Sequence, residues 1–348
     1  MKISIIIPVY NTDSRYLRAS LKSCLTQTIA EEIEVIAVND GSTNDAGKVL
    51  GEMAERYPLL KVINQENKGT SVARNAGIEA ATGDYIMFVD ADDWIEEDAC
   101  EKTLRQAYSS NSDITFFGYA TNYTNREINR VLDKVPDGVF EKERLELAIL
   151  KGDPALGPVE VGAPWGKLIR ASVIRERKVR YTPGLKKGQD TVFVLNLIEN
   201  CSSFHYYSYL GYHYRMLGSS ISHRFNPEII NIMEKTLTAY GDFVKKYDKR
   251  EAFKEAVRRK YYRVLLGEYL MLYFCHPDNS SSGSSRIREF NTLTDREPYR
   301  TMIGKINVKG LYDRLQLLLL RKRQTRILFF VKRFEIFVRN ILIHQFER

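Results

Sequence analysis

The stretch Ile3-Ser4-Ile5-Ile6-Ile7-Pro8-Val9-Tyr10-Asn11 opens the chain with a nearly continuous apolar run that ends in polar residues. A short run of this kind is typical of a strand buried on both faces of a parallel sheet. Three further runs follow at 34–39, 61–64 and 84–90, and helical patterns lie between them at 14–27, 44–57 and 70–81. This alternation of strand and helix predicts an α/β domain built from β-α-β units.

Polar residues follow each of the four predicted strands. In open parallel sheets, ligands bind in the crevice outside the carboxyl ends of the strands. The segments at these ends are 8–11, 39–42, 65–69 and 90–93, so we expect the functional site at this edge. The sequence has neither G-x-G-x-x-G after the first strand nor G-x-x-x-x-G-K-[ST], which argues against a dinucleotide site and a P-loop.

The acidic run Asp90-Ala91-Asp92-Asp93 follows the apolar segment 85–89. Alternate residues that leave a strand point the same way, so Asp90 and Asp92 are expected to face one point. Two carboxylates at one point repel each other unless a cation lies between them, and a divalent cation that carries substrate phosphates would meet this need. The alternative is that the three aspartates are solvated turn residues that cap the next helix.

Four other strand-end and helix-start residues have both a functional and a structural interpretation. Tyr10 could stack on a nucleobase or could be partly buried packing. Asp40 could contact a ligand at the strand end, or could belong to a simple turn, which would by itself explain Gly41 and Ser42. Arg74 could donate two hydrogen bonds to a phosphate or lie on a solvated helix face. Asp190 opens a predicted helix at 190–199, and the residues alone favour its interpretation as an N-cap and nothing more.

Together these residues resemble the GT-A nucleotide-sugar glycosyltransferases, specifically the inverting family 2. The resemblance covers about residues 1–225. Its motifs are SIIIPVYN at 4–11, VNDGS at 38–42, NKGTSVARNAG at 67–77, FVDADD at 88–93, WGKL at 165–168 and SISH at 220–223. It implies a GT-A fold, which is Rossmann-like with a mixed, mainly parallel central sheet, followed here by a helical C-terminal region.

The resemblance also implies roles for individual residues. Asp190 would be the general base, and Asp92 the main protein ligand of Mn²⁺ or Mg²⁺. The nucleotide-sugar would be bound by Pro8, Tyr10, Asn11, Asp40, Asn67, Arg74, Asp90 and Ala91. Within that set, Tyr10 would stack on the base, Asp40 would accept from a uracil ring N–H, and Asp90 would approach the sugar or ribose. Gln189 stands where this family often has Glu.

For the activity, the resemblance implies transfer from a UDP-sugar to a saccharide or lipid-linked saccharide acceptor in bacterial surface polysaccharide or glycoconjugate synthesis. Two other classes stay open: a nucleic-acid- or membrane-binding protein that uses a basic tail, and a phosphotransferase with an aspartate nucleophile. The acidic strand-end cluster argues against nucleic acid as a partner because carboxylates would repel its backbone.

Charge is unevenly distributed along the 348 residues, which carry a formal net charge of +8. Residues 305–348 hold eleven Lys/Arg and three Asp/Glu, so the preceding 304 residues are formally neutral. Residues 311–346 combine an apolar stripe with a basic flank, which predicts a helix on an anionic membrane surface. The alternative is that the stripe packs on the catalytic domain or on a second copy in a homo-oligomer.

The domain boundaries predicted from the sequence are a GT-A domain at 1–225, a helical extension at 226–276, a flexible linker at 277–286 and a basic amphipathic helical region at 287–348. No apolar run reaches the roughly 18 residues of a membrane span. Four dispersed cysteines argue against a structural zinc site and a disulfide scaffold. We expect a cytoplasmic protein, peripheral on the inner face of the cell membrane.

Overall fold

The computed structural model describes residues 1–132, 138–156, 159–216 and 225–346, the last eight of these by their backbone. The chain forms two compact units, Met1–Gly218 and Ser219–Arg348. The first unit therefore ends a few residues before the predicted domain boundary at 225.

Strands and helices alternate through the first hundred residues of the first unit, as the apolar runs predict. The described strands of this unit are β1 Ile3–Val9, β2 Ile33–Asp40, β3 Leu60–Gln65, β4 Tyr85–Phe88, β5 Trp94–Ile95, β6 Ile114–Asn122, β7 Glu127–Arg130, β8 Gly138–Val139, β9 Lys167–Arg170 and β10 Phe204–Arg215. Its α-helices are α1 Ser14–Leu25, α2 Ala46–Arg56, α3 Thr70–Ala80, α4 Ala99–Ser110, α5 Lys142–Lys151, α6 Ala171–Glu176 and α7 Gln189–Asn200.

The strands form one mixed sheet in the order β3-β2-β1-β4-β9-β6-β10-β5, with β7 beside β6 and β8 beside β10. Strands β3, β2, β1 and β4 run parallel, as do β6 and β10. Strand β9 is antiparallel to both of its neighbours. The parallel arrangement of the first four strands brings their carboxyl ends to one edge of the sheet.

Helix α3 packs closely on strand β1. A Cβ atom at Gly77 would lie 2.4 Å from Cγ2 of Ile6, so only glycine lets the helix approach the strand this far. This contact fixes the position of α3 over the sheet. Arg74 lies one turn earlier on the same helix, so the packing of Gly77 helps to place the Arg74 side chain.

At the amino ends of the parallel strands, the Glu34 side chain connects its own strand to residues 2–4 and to Thr82. Its carboxylate accepts hydrogen bonds from Ser4 Oγ at 2.6 Å, Thr82 N at 2.7 Å and Thr82 Oγ1 at 2.8 Å, and it pairs with Lys2 at 3.3 Å. Burial by itself would raise the pKa of Glu34, but these hydrogen bonds outweigh it and lower the pKa to about 2.

Glu34→Gln is expected to lower the free energy of unfolding at pH 7 by about 1–3 kcal/mol, the range for hydrogen bonds to a charged group. A depressed carboxyl pKa stabilises the fold above its unfolded value of 4.5 and loses that contribution as pH falls toward 2. Urea denaturation between pH 7 and pH 3 measures both effects. The variant should lack this component of the pH dependence. Equal losses for Glu34→Gln and for the exposed control Glu31→Gln would contradict the assignment.

The second unit is helical over its described residues. Its elements are α8 Ile229–Lys246, α9 Glu251–Val264, a π-helix at Leu265–Phe274, α10 Gly283–Asp295, α11 Tyr299–Lys305, α12 Leu311–Arg321 and α13 Thr325–Phe346. Throughout the described ranges, every helix falls short of the length and apolar character that a membrane span requires.

Two predictions for this part of the chain need correction. Helix α10 begins inside the segment 277–286 that was predicted as a flexible linker, and the Ser282 side chain caps it by accepting from Ser285 N. The serines that suggested flexibility therefore supply a helix cap. The predicted tail helix is two helices, because the chain breaks near Arg323, whose φ is +54°.

Candidate active site

A cleft of about 630 Å³ opens at the carboxyl ends of β1 and β4, beside the first turns of α1, α3 and α7. Eight of the ten predicted site residues line it: Pro8, Tyr10, Asn11, Arg74, Asp90, Ala91, Asp92 and Asp190. Thr12, Asp13, Tyr16, Thr70 and Gln189 complete the lining. The structure thus brings the strand-end motifs together with a residue that lies about a hundred positions further along the chain.

Arg74 is the charged centre of this cleft and is only 3% exposed. Its Nη2 donates to Asp90 Oδ1 at 2.7 Å, and its Nη1 donates to Asp190 Oδ1. The guanidinium also lies 5.3 Å from the ring centroid of Tyr181. Arg74 therefore bridges two carboxylates from distant parts of the chain, which the sequence interpretation, with Arg74 as a phosphate donor, did not anticipate.

Asp190 lies in the first turn of α7, two residues after Gly188, whose φ is +68°. Its side chain faces the cleft and does not cap the helix, so the N-cap alternative is wrong. Burial raises the pKa of Asp190 above its ordinary value, and the charge of Arg74 opposes the rise without reversing it. A buried carboxylate of raised pKa is a stronger base than a solvated one.

Asp92 presents its carboxylate to the cleft. Burial raises its pKa, and the negative charge of Asp90 raises it further. No lysine or arginine in the described part of the chain lies within ion-pair distance of this carboxylate. Arg215 instead donates to the backbone oxygen of Asp92 at 2.8 Å. Asp92 is thus a carboxylate whose charge would be compensated by an added cation.

The donor chemistry of the site fits Mg²⁺ or Mn²⁺, which prefer oxygen ligands and often bind through one or two carboxylates together with substrate phosphates. No group of three His, Cys, Asp or Glu side chains in the described ranges is close enough to hold a metal ion. A cation at Asp92 would therefore need further oxygen ligands from the substrate.

Asp93, the third aspartate of the run, was not among the predicted site residues. It is buried and accepts from Tyr212 Oη at 2.6 Å and from Arg215 N at 2.8 Å. Burial, with a further contribution from Asp90, raises its pKa to about 8. These two hydrogen bonds hold the acidic loop, residues 90–93, against strand β10. The length of the acidic run is the only sequence signal that could have indicated this role.

Arg215 is a second residue that sequence reasoning missed. Its guanidinium lies 4.5 Å from the ring centroid of Tyr16 and 4.4 Å from that of Trp94. It reaches the acidic loop from β10, and nothing in the local sequence around position 215 indicates this contact. Gln189 also lines the cleft, and its buried Oε1 accepts no hydrogen bond from the described residues.

Tyr10 and Asn11 form the part of the cleft that follows β1. Tyr10 is 50% exposed, so part of its ring is open to a ligand. Asn11 has a φ of +50°, and its Oδ1 accepts from Thr43 N at 2.8 Å. Asn11 N donates to Ser42 Oγ at 3.1 Å. These bonds connect the end of β1 to the loop after β2.

Asp40 and Asn67 lie outside the cleft lining. The Asp40 carboxylate accepts from Lys68 N at 2.9 Å, Gly69 N at 2.8 Å and Gln65 Nε2 at 2.7 Å. It therefore orders the loop that leads into α3. Asn67 is exposed in this loop, and its backbone N would lie 2.7 Å from a Cβ atom at Gly41, which has a φ of +69°. Gly41 permits this close approach.

Of the two later motifs of the sequence, the structure describes the one at 165–168. Trp165 stacks on Tyr212 with ring centroids 4.8 Å apart. Lys167 is buried, and its Nζ donates to the backbone oxygens of Glu160 at 3.0 Å and Trp165 at 3.2 Å. Burial lowers the pKa of Lys167 to about 7. The motif at 220–223 lies outside the described residues.

Comparison with known proteins gives matches over the part of the chain that holds most of these motifs. The model of the glycosyl transferase family 2 matches residues 4–174. The putative glycosyltransferase EpsH of Bacillus subtilis (strain 168) is 31% identical over 292 residues, which are 82% of this chain and 80% of EpsH. The poly(ribitol-phosphate) beta-glucosyltransferase of Bacillus spizizenii is 31% identical over 56% of this chain, and the match spans 29% of that protein.

The fold is also found in solved structures. Residues 1–349 of TarS from S. aureus, in complex with UDP-GlcNAc, superpose with a TM-score of 0.70 at 18% identity, over 95% of this chain and 90% of that one. The GT-A fold expected from the sequence is confirmed. These findings favour a glycosyltransferase over the phosphotransferase and the nucleic-acid binder. The chain belongs to the glycosyl transferase family 2.

Proposed function

We propose that this protein transfers a sugar from a UDP-sugar to an acceptor hydroxyl with inversion of the anomeric centre. The observation that carries the proposal is the cleft at the carboxyl ends of β1 and β4. There a half-exposed aromatic ring at Tyr10, a carboxylate without an ion-pair partner among the described residues at Asp92 and a partly buried carboxylate at Asp190 line one cavity. An inverting transferase needs these three elements to bind a base, to hold a diphosphate with its cation and to accept a proton.

The nucleoside would bind at the β1 end of the cleft. The half-exposed Tyr10 ring offers a stacking surface, Pro8 and Asn11 shape the wall beside it, and Asn67 is exposed in the neighbouring loop. Asp40 is buried outside the cleft lining and would support the base indirectly, because its carboxylate orders that loop. The complex of TarS with UDP-GlcNAc supports uracil as the base and a UDP-sugar as the donor.

Asp92 would hold Mn²⁺ or Mg²⁺ against the diphosphate, and Asp90 and Ala91 line the neighbouring wall where the ribose or sugar would lie. When bound, the cation would neutralise the negative charge that develops on the departing UDP. Two residues of the chain would fix the position of Asp92, and with it the position of the cation. Arg215 holds the Asp92 backbone, and Asp93 holds the backbone of Arg215.

Asp190 would act as the general base. The acceptor oxygen attacks the anomeric carbon, the bond from that carbon to the diphosphate oxygen breaks, and the acceptor proton passes to Asp190. One such displacement inverts the anomeric centre. Arg74 donates to Asp190 Oδ1, and this bond would hold the carboxylate so that Oδ2 could take the acceptor proton. Arg74 is thus a positioning residue in this proposal.

The acceptor would be a hydroxyl of a saccharide or lipid-linked saccharide in bacterial surface polysaccharide or glycoconjugate synthesis. The relative that glucosylates poly(ribitol-phosphate) supports a hydroxyl of a polymer as the acceptor class.

Release of UDP tests the proposed function. Purified protein with Mn²⁺ should release UDP from at least one of UDP-glucose, UDP-galactose and UDP-N-acetylglucosamine, and should release no GDP from GDP-mannose. Loss of base stacking in Tyr10→Ala should raise the KM for the UDP-sugar about tenfold or more, since stacking contributes roughly 1–3 kcal/mol. Tyr108→Ala removes another exposed tyrosine and should leave KM unchanged. GDP release without UDP release, or equal KM values for both variants, would contradict the proposal.

A further inference from the structure

Exposed large apolar side chains are concentrated near the C-terminus. Fourteen such residues occur among the described residues, and nine of them lie between 311 and 338. Eight of these nine form what we term the apolar outer faces of α12 and α13: Leu311, Leu315, Leu318, Ile327, Phe330, Phe334, Phe337 and Val338. A concentration of this kind marks an interaction surface, because monomeric proteins seldom expose contiguous apolar patches.

Helix α13 is apolar on two opposite sides. Its inner side packs within the second unit, where Phe329 lies 5.4 Å from the Phe290 ring and 6.1 Å from the Phe274 ring. Its outer side carries Phe330, which is 73% exposed, and Phe334, which is 62% exposed. An ordinary surface helix has a polar outer side. The helix is therefore already docked in its own unit, and its second apolar side has no partner among the described residues.

Helix α12 repeats this arrangement. Leu317, Leu319 and Leu320 are buried, whereas the outer leucines 311, 315 and 318 recur every three or four residues and are exposed. The apolar stripe predicted within 311–346 does not by itself distinguish Leu318 from Leu319. The structure separates them, since Leu319 points inward and Leu318 outward.

Positive charge accompanies both outer faces. Residues 311–338 hold seven Lys/Arg and two Asp/Glu. Arg326 and Arg333 are exposed and lie seven positions apart, which places them along one flank of the apolar stripe of α13. No ion pair engages either of them within the described residues. Lys332, in contrast, is buried and paired with Glu335 at 2.8 Å.

We propose that the apolar outer faces of α12 and α13 dock on an anionic lipid bilayer. The phenylalanines would enter the boundary between headgroups and acyl chains, while Arg326, Arg333 and the neighbouring cations contact anionic headgroups. A second copy of this chain fits less well, because its equally basic face would repel the first. Docking would place the protein on the inner face of the cell membrane, where a lipid-linked acceptor of the class proposed above would lie.

Cosedimentation of the full chain with vesicles tests this proposal. Wild-type protein should bind vesicles of equal parts phosphatidylglycerol and phosphatidylcholine, and should bind pure phosphatidylcholine vesicles far more weakly. Arg326→Gln with Arg333→Gln should weaken binding about thirtyfold, since each cation contributes about 1 kcal/mol. Phe330→Ser, Phe334→Ser and Phe337→Ser together should weaken it about a hundredfold or more.

The control is Tyr108→Ser, which removes an exposed aromatic side chain of the first unit and should bind as the wild type does. All three phenylalanines are solvent-exposed, so the triple variant should keep the wild-type circular dichroism spectrum and urea midpoint. The proposal would be overturned if the wild-type protein did not bind anionic vesicles. A wild-type dimer that becomes monomeric in the triple variant would also overturn it, because the outer faces would then be a subunit interface.

Discussion

Asp190→Asn is expected to lower the rate of UDP release from the preferred UDP-sugar by about 10²–10⁴-fold, the range for loss of a general base. Asparagine keeps an oxygen that can accept from Arg74 Nη1, so the arrangement around Arg74 should persist. It cannot accept a proton from the attacking hydroxyl or water. The loss should therefore fall on kcat, while the affinity for UDP stays near the wild-type value.

The matched control is Asp45→Asn, an exposed aspartate at the start of α2 whose side chain makes no capping bond. This variant should keep full activity. In the wild type, kcat should rise with pH through the pKa of Asp190, which burial places above the ordinary value. Asp190→Asn should lose this acidic limb. Wild-type rates in Asp190→Asn would remove Asp190 from the proposed mechanism.

Arg74→Met is expected to have the largest effect on stability. The substitution leaves Asp90 and Asp190 in a partly buried cleft without their shared cation. Removing one partner of a buried ion pair typically costs about 3–5 kcal/mol. Urea denaturation at pH 7 measures the loss of unfolding free energy. Arg74→Lys should recover only part of it, because one ammonium cannot bridge two carboxylates as a planar guanidinium does.

Two comparisons isolate the bridging role of Arg74. Arg18→Met removes an arginine from an exposed pair with Glu52 and should change the free energy of unfolding little, because solvent screens exposed ion pairs. The cost of Arg74→Met should shrink as pH is lowered, because protonation neutralises the two unpaired carboxylates. A loss no larger than that of Arg18→Met would contradict the assignment of Arg74 as the charged centre of the cleft.

The sequence predicts those features that depend on local patterns. The strands at 3–9, 33–40 and 85–88 carry apolar runs because both of their faces are covered, whereas the strand at 60–65 lies at the end of the strand order and is buried only at Leu60. Their parallel order brings Tyr10, Asp90 and Asp92 to one edge, which is why the cleft could be located before the structure was known.

Features that depend on tertiary contacts were not predictable in this way. The bond of Arg74 to Asp190 joins residues 116 positions apart, and that of Asp93 to Tyr212 spans 119. No local period in the sequence encodes such pairs. The two-residue strand β5 is too short to show an alternation. The break between α12 and α13 was hidden because the helical spacing of apolar residues continues across it.

A thermal unfolding titration with UDP, GDP, CDP and dTDP, each with Mn²⁺ or with EDTA, tests whether the cleft is a metal-dependent UDP site. UDP with Mn²⁺ at a hundredfold excess over its Kd is expected to raise Tm by about 5–10 °C, corresponding to about 2.7 kcal/mol. The rise should disappear in EDTA and in Asp92→Asn, and should persist in Asp45→Asn. A folded protein that no nucleotide stabilises, or an Asp92→Asn variant that responds to UDP and Mn²⁺ as the wild type does, would contradict the account.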